Sequence, residues 1–220
     1  IPPLHLHGVN RIPLERGLGS SAAAAVAGVA LARSWLRIPA PVDPRGPVFD
    51  AASRIEGHPD NAAAAAFGAL TVVADGRVRR FDVPESIRPV LLIPDLRLST
   101  ADARRTLPDQ VARRDAVYNV AHGALTIHAL TTGDLELLRT ALHDRLHQSA
   151  RLQLVPEVRS VFEVLDRAWP VCLSGAGPTL LAFPAEDGDV PDPGEGWRVL
   201  RTAVRSAGVE IVEAEGASSR

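Results

Sequence analysis

The chain has 220 residues with 46% hydrophobic and 23% charged side chains, enough apolar material for a buried core and too little charge for disorder. All 24 basic residues are Arg, and the lack of Lys excludes a Walker-type phosphate loop and Schiff-base chemistry. A net charge of −2 gives no electrostatic basis for a nucleic acid or an anionic membrane as the main partner. With one cysteine, Cys172, no internal disulfide can form, which fits a reducing cytoplasm. No apolar run reaches the roughly 20 residues of a membrane helix. Residue 1 is Ile rather than Met, so the sequence is expected to start inside a longer protein.

Residues 4–12 are short and β-tolerant, and Pro13 follows them. GSSAAAAVAGVALARS (19–34) predicts a helix whose small residues allow close neighbours. The proline-rich 37–47 must be a loop, and a second helix is expected from about Val48 to Arg54. EGHPDN (56–61) interrupts before the Ala-rich AAAAAFG. ALTVVADGRVRRFDV (69–83) reads as two strands about an Asp75-Gly76 turn. Pro84 and Pro89 flank a domain boundary, after which VLLIP (90–94) is a buried strand. Helical spacing covers 110–131, 133–148 and Glu157–Arg167, and VCLSGAGPTLLAF (171–183) predicts strand, glycine turn, strand. A helix is expected from Trp197 to Ala207, leading into a strand at VEIVEAE (209–215). Helices and strands interleave without a βαβ repeat, so the fold class is α+β.

Four segments carry chemistry. In PLERGLGSSAA (13–23), Gly17 and Gly19 permit tight backbone conformations, and Ser20 and Ser21 fall at a helix N-terminus. That end attracts an anion by about 0.3–1 kcal/mol when exposed and by up to ~2 when partly buried, so the turn can cradle phosphate without Lys. Ser21 could also offer its hydroxyl to Mg²⁺. A plain helix cap with close packing explains the same residues. The segment also fits the dinucleotide pattern G-x-G-x-x-A, but that pattern wants a hydrophobic strand before it and an acid about 20 positions on. Pro13, Glu15 and Arg16 stand there instead, and Asp43 lies in a proline loop. In EGHPDN, Glu56 or Asp60 could bind Mg²⁺, and His58 and Asn61 could bond a polar substrate. Its alternative is a polar turn in which Asp60 caps the next helix. Thr100 and Arg104 lie one helical turn apart, where a hydroxyl and a guanidinium could grip a carboxylate; a capped surface helix is equally consistent. SGAGPT (174–179) is a tight turn that brings backbone N–H groups toward a ligand, or a simple connection.

Taken in order, PLERGLGSSAA, EGHPDN, STADARRTLP, DRLHQSAR and SGAGPT resemble the homoserine kinases of the GHMP small-molecule kinase superfamily, from about Gly8 to Ala214. The resemblance implies a two-domain fold with the active site in the cleft between the domains. Residues 1–86 would form the ATP-binding N-terminal domain, lacking its first strands, and 87–220 the C-terminal domain. It implies transfer of the ATP γ-phosphate to the hydroxyl of L-homoserine, a step of threonine biosynthesis. Pro13, Arg16, Gly17, Leu18, Gly19, Ser20, Ser21, Ala22 and Ala23 would wrap the ATP phosphates, with Ser21 and Glu56 holding Mg²⁺. His58, Asn61, Thr100, Arg104, Arg151, Gly175 and Gly177 would bind homoserine, and Asp60, Asn61 and Arg104 would serve catalysis. A homodimer is the corresponding oligomeric expectation. Two alternatives remain open on the residues: another GHMP-type alcohol as acceptor, or a truncated relative that binds ATP without turnover.

Overall fold

A computed structural model describes residues 5–39, 41–185 and 188–212. Three helices come first: α1 (Ser20–Trp35), α2 (Arg45–Glu56) and α3 (Asp60–Phe67). Ala22, Val26 and Ala30 form the buried stripe of α1. Val26 and Ala30 pack with Val48, Phe49 and Ala52 of α2 and Ala62, Ala63 and Ala66 of α3. Alanine at most of these contacts lets the helix backbones approach closely. α2 begins at Arg45, a turn earlier than its sequence suggests, because Pro47 is tolerated in a first turn, where its missing N–H has no intrahelical partner. The hairpin β1 (Leu70–Ala74) and β2 (Arg77–Phe81) turns at Asp75-Gly76 as expected, with Val73 paired to Val78. The β-tolerant stretch fails to form a strand over its described residues 5–12.

The remaining elements build a second layer. Strands β3 (Val90–Pro94), β4 (Val171–Leu173), β5 (Leu180–Ala182) and β6 (Trp197–Arg201) form an antiparallel sheet in the order β4-β5-β3-β6. Its core joins Val90, Leu92, Leu173 and Leu180 to Leu152, Val158 and Leu165 of the helices α7 (Gln148–Gln153) and α8 (Pro156–Leu165). Between β3 and α7 come α4 (Thr100–Arg105), α5 (Arg113–Thr132) and α6 (Leu135–Ala141). The expected helix over 133–148 stops at Ala141, because Asp144 takes the backbone N–H groups of the next turn and starts α7 separately.

The expected helix from Trp197 to Ala207 is instead strand β6, paired with β3 along its length. WRVLR does not alternate cleanly, because Val199 and Leu200 are adjacent, and the i, i+3, i+7 spacing of Trp197, Leu200 and Val204 mimics a helix. Short apolar runs leave that choice to tertiary pairing. The strand expected at 209–215 is absent over 209–212, and 213–215 lie outside the described residues. After β6 the chain returns to the first layer: Ala69 N–H donates to the Arg205 carbonyl (2.7 Å) and Val209 N–H to that of Ala66 (3.2 Å). No helix among the described residues is long and apolar enough to cross a membrane.

Candidate active site

α1 starts at Ser20 directly behind Gly19, which adopts the left-handed conformation (φ 71°). No side chain caps this N-terminus and no acid sits in its first turn, so its N–H groups and partial positive charge are available to an anion. Gly17 is also left-handed (φ 73°) and has a second reason to be glycine. A Cβ there would lie 2.2 Å from the Ser174 carbonyl oxygen and 2.7 Å from that of Gly177. The glycine turn is therefore pressed against the SGAGPT turn, 157 residues away, and Ser174 Oγ donates to the Gly17 carbonyl at 2.8 Å.

The other motifs converge on the same place. Ser21 Oγ donates to Glu56 Oε1 at 2.7 Å, joining the start of α1 to the end of α2. Gly57 closes α2 in the left-handed region (φ 75°) and turns the chain into α3. Asn61, in the first turn of α3, lies against Gly19, whose Cβ would fall 3.7 Å from its Cγ. Asp60 does not cap α3: the cap position is Pro59, and Asp60 is the first helical residue, its carboxylate 2.9 Å from His58 Nδ1. Asn10, which no motif singled out, donates to Ser20 Oγ at 3.1 Å.

On the opposite side, Arg151 reaches from α7 to the glycine-rich turn. Its Nη1 donates to the Gly175 carbonyl (3.1 Å) and its Nε to the Ala103 carbonyl of α4 (3.4 Å). Arg104 follows Ala103, and its side chain has no hydrogen-bond partner among the described residues. Burial lowers the pKa of Arg151, the nearby Asp144 opposes this, and Arg104 lowers it further. Two guanidinium groups close enough to repel each other could share one anion. Thr100 opens α4, with Ser99 as the cap accepting from Asp102 N–H.

Not every nominated residue faces this constellation. Arg16 turns toward Asp95 (3.4 Å) at the end of β3, with its side chain only 11% exposed. Pro13 borders the same hollow, and Ala23 lines an apolar one of about 420 Å³ beside α3. Gln148, to which the motifs assign no role, is buried. It donates to the Leu142 carbonyl (3.0 Å) and accepts from Leu173 N–H (2.7 Å), fixing α7 to the strand that enters the SGAGPT turn. Its signal was its place in the DRLHQSAR motif.

Among the described residues no group of three or more His, Cys, Asp or Glu is placed to hold a metal. Ser21 and Glu56 supply two hard oxygen donors side by side, which suits Mg²⁺ that takes its other ligands from phosphate and water.

Residues 2–69 match the family described as GHMP kinases N terminal domain, and residues 126–192 match GHMP kinases C terminal. The homoserine kinase of Trichormus variabilis is 42% identical over 207 residues, covering 91% of this chain and 66% of that protein. That of Deinococcus radiodurans is 42% identical over 189 residues, covering 83% of this chain and 61% of its own length. The chain thus spans less than two thirds of either relative. The crystal structure of homoserine kinase from Cytophaga hutchinsonii superposes with a TM-score of 0.77 at 25% identity, over 90% of this chain and 69% of that one.

Proposed function

The chain belongs to the GHMP kinase family, and on that premise we propose that it transfers the ATP γ-phosphate to the side-chain hydroxyl of L-homoserine. The observation that supports the substrate is Arg151 held against the Gly175 carbonyl with Arg104 near enough to act on its charge, since two guanidinium groups suit one carboxylate. The homoserine kinases among its relatives support the same choice.

Each residue group then has a task. The N–H groups behind Gly17 and Gly19, with Ser20 and Ser21, hold the nucleotide phosphates at the start of α1; Pro13, Arg16, Leu18, Ala22 and Ala23 shape that segment. Mg²⁺ held by Ser21 and Glu56 would supply charge neutralisation at the phosphates. Arg104 and Arg151 take the homoserine carboxylate, and Thr100, His58 and Asn61 take its other polar groups. Gly175 and Gly177 bring backbone close to substrate and phosphate. The homoserine hydroxyl oxygen forms the new bond to the γ-phosphorus as the bond to the β-bridging oxygen breaks, releasing ADP. The hydroxyl proton passes to Asp60, which His58 tethers, or to solvent. Positioning and fixed charge supply most of the rate, as phosphoryl transfer requires little covalent help. We place the reaction in threonine biosynthesis and in the cytoplasm, where a chain with a single cysteine needs no disulfide. In this reading residues 1–86 are the N-terminal ATP-binding unit and 87–220 the C-terminal unit, whose segment from Arg205 to Val209 packs back on the first layer.

Replacing Arg104 tests the carboxylate assignment. Losing one charged hydrogen bond of about 1.5–3 kcal/mol should raise KM for L-homoserine roughly 10- to 150-fold in Arg104→Gln. An acceptor alcohol without a carboxylate would be unaffected, and an unchanged homoserine KM would refute the assignment.

A further inference from the structure

His147 occupies the cap position of α7 between two charged neighbours. Its Nε2 lies 3.4 Å from Asp144 Oδ1, and its Nδ1 lies 3.2 Å from Arg151 Nη1. A guanidinium nitrogen can only donate, so Nδ1 accepts, and the ring proton stays on Nε2 facing the carboxylate. Asp144 is anchored: its Oδ2 accepts from the backbone N–H of Leu146, His147 and Gln148 (3.1, 2.6 and 2.7 Å). Its Oδ1 accepts from Asn119 Nδ2 at 2.6 Å. With acceptors at Gly175, Ala103 and His147, the Arg151 guanidinium is held from three elements. Its Nη2 has no partner among the described residues.

We infer that His147 is a positioning residue: its neutral imidazole fixes Arg151 for the substrate carboxylate, and protonation of the ring releases Arg151, making carboxylate binding pH-dependent. This rests on the assignment of Arg151 to the homoserine carboxylate. A protonated Nδ1 would turn a donor and a positive charge toward a guanidinium about 3 Å away, removing the bond and adding repulsion. The charged groups acting on His147 are Asp144 and Arg151, and Arg104 on α4 acts on Arg151 in turn. Burial pushes the His147 pKa below its ordinary value, Asp144 opposes this, and Arg151 lowers it further. The ring is therefore neutral at neutral pH, and Arg151 is released only on acidification.

The test measures KM and kcat for L-homoserine from about pH 8 down past the ordinary histidine value of about 6.5 to the acid limit at which wild type stays folded, on the full-length gene product carrying this chain. Wild type, His147→Gln and His147→Ala are compared. Glutamine can accept from Arg151 and donate to Asp144 but does not titrate. Wild-type KM should rise by roughly 5- to 10-fold on acidification relative to His147→Gln, with kcat nearly level, as expected for loss of a positioning bond. The ATP γ-phosphate titrates in the same window, but equally in both proteins, so their ratio isolates His147. His147→Ala should show a raised KM at every pH, and glutamine should rescue it at neutral pH. Parallel profiles for wild type and His147→Gln, with an unaltered KM in His147→Ala, would overturn the positioning role and leave the substrate assignment standing. No homoserine turnover in wild type would overturn the substrate assignment instead. In that case ¹⁵N spectra of the histidines still decide the bond chain: Nε2–H at His147 upholds it and Nδ1–H refutes it.

Discussion

Gly17 concentrates two constraints in one position, a left-handed backbone and a neighbouring carbonyl 2.2 Å from where a Cβ would stand. Gly17→Ala should therefore part the glycine turn from the SGAGPT turn, and ATP binding measured by calorimetry should weaken by about tenfold or more, given strain of 1–3 kcal/mol. Asp144 makes a prediction in stability. Burial disfavours its charge, yet the N–H groups of Gln148 and His147 and the Asn119 amide outweigh this and hold its pKa below the ordinary value. A group with a depressed folded pKa stabilises fully above its unfolded value of about 3.9, and this contribution disappears as pH falls through the folded value. Asp144→Ala should cost about 1–2 kcal/mol at neutral pH, as a lost helix cap does, and the gap from wild type should shrink as pH falls below the unfolded value of about 3.9 toward the lower folded one. Denaturant melts at the two pH values check it.

At the scale of elements, packing between the return segment and α3 sets the tightest limits. A Cβ on Gly208 would fall 2.0 Å from the Ala66 carbonyl oxygen, whereas one on Gly28, in mid α1, would meet nothing within 4 Å. Gly208→Ala should lower Tm by roughly 3–10 °C, because overpacking costs about 1–3 kcal/mol. Gly28→Ala should raise stability by about 0.5–1 kcal/mol, since alanine outranks glycine in a helix. Thermal melts of the two variants must move in opposite directions. Elements were legible where local and tertiary preferences agree: the small-residue face of α1, the Asp75-Gly76 hairpin and the VLLIP strand. β6 was not, because WRVLR lacks clean alternation, Trp197, Leu200 and Val204 mimic a helix, and only pairing with β3 decides for a strand. The break between α6 and α7 was hidden too, since it depends on where the Asp144 side chain turns.

At the scale of the molecule, the site is assembled from segments that the sequence keeps far apart. Ser21 meets Glu56 across 35 positions and Ser174 meets Gly17 across 157. Glycine, serine and arginine motifs could nominate these residues by chemistry, but which face a common space follows only from the packing of the two layers. Arg16 shows the limit of the motif, since it belongs to the glycine segment yet turns to Asp95. A chain without Lys holds phosphate through a helix N-terminus, serine and Mg²⁺ in this account, and reserves arginine for the carboxylate of the acceptor. The most direct test is ADP release from Mg-ATP by the full-length gene product carrying this chain, with L-homoserine, L-serine, L-threonine and mevalonate offered separately. The account predicts release driven by L-homoserine well above the others, with O-phospho-L-homoserine as the product. Equal release with every acceptor, or none that depends on homoserine, would contradict it.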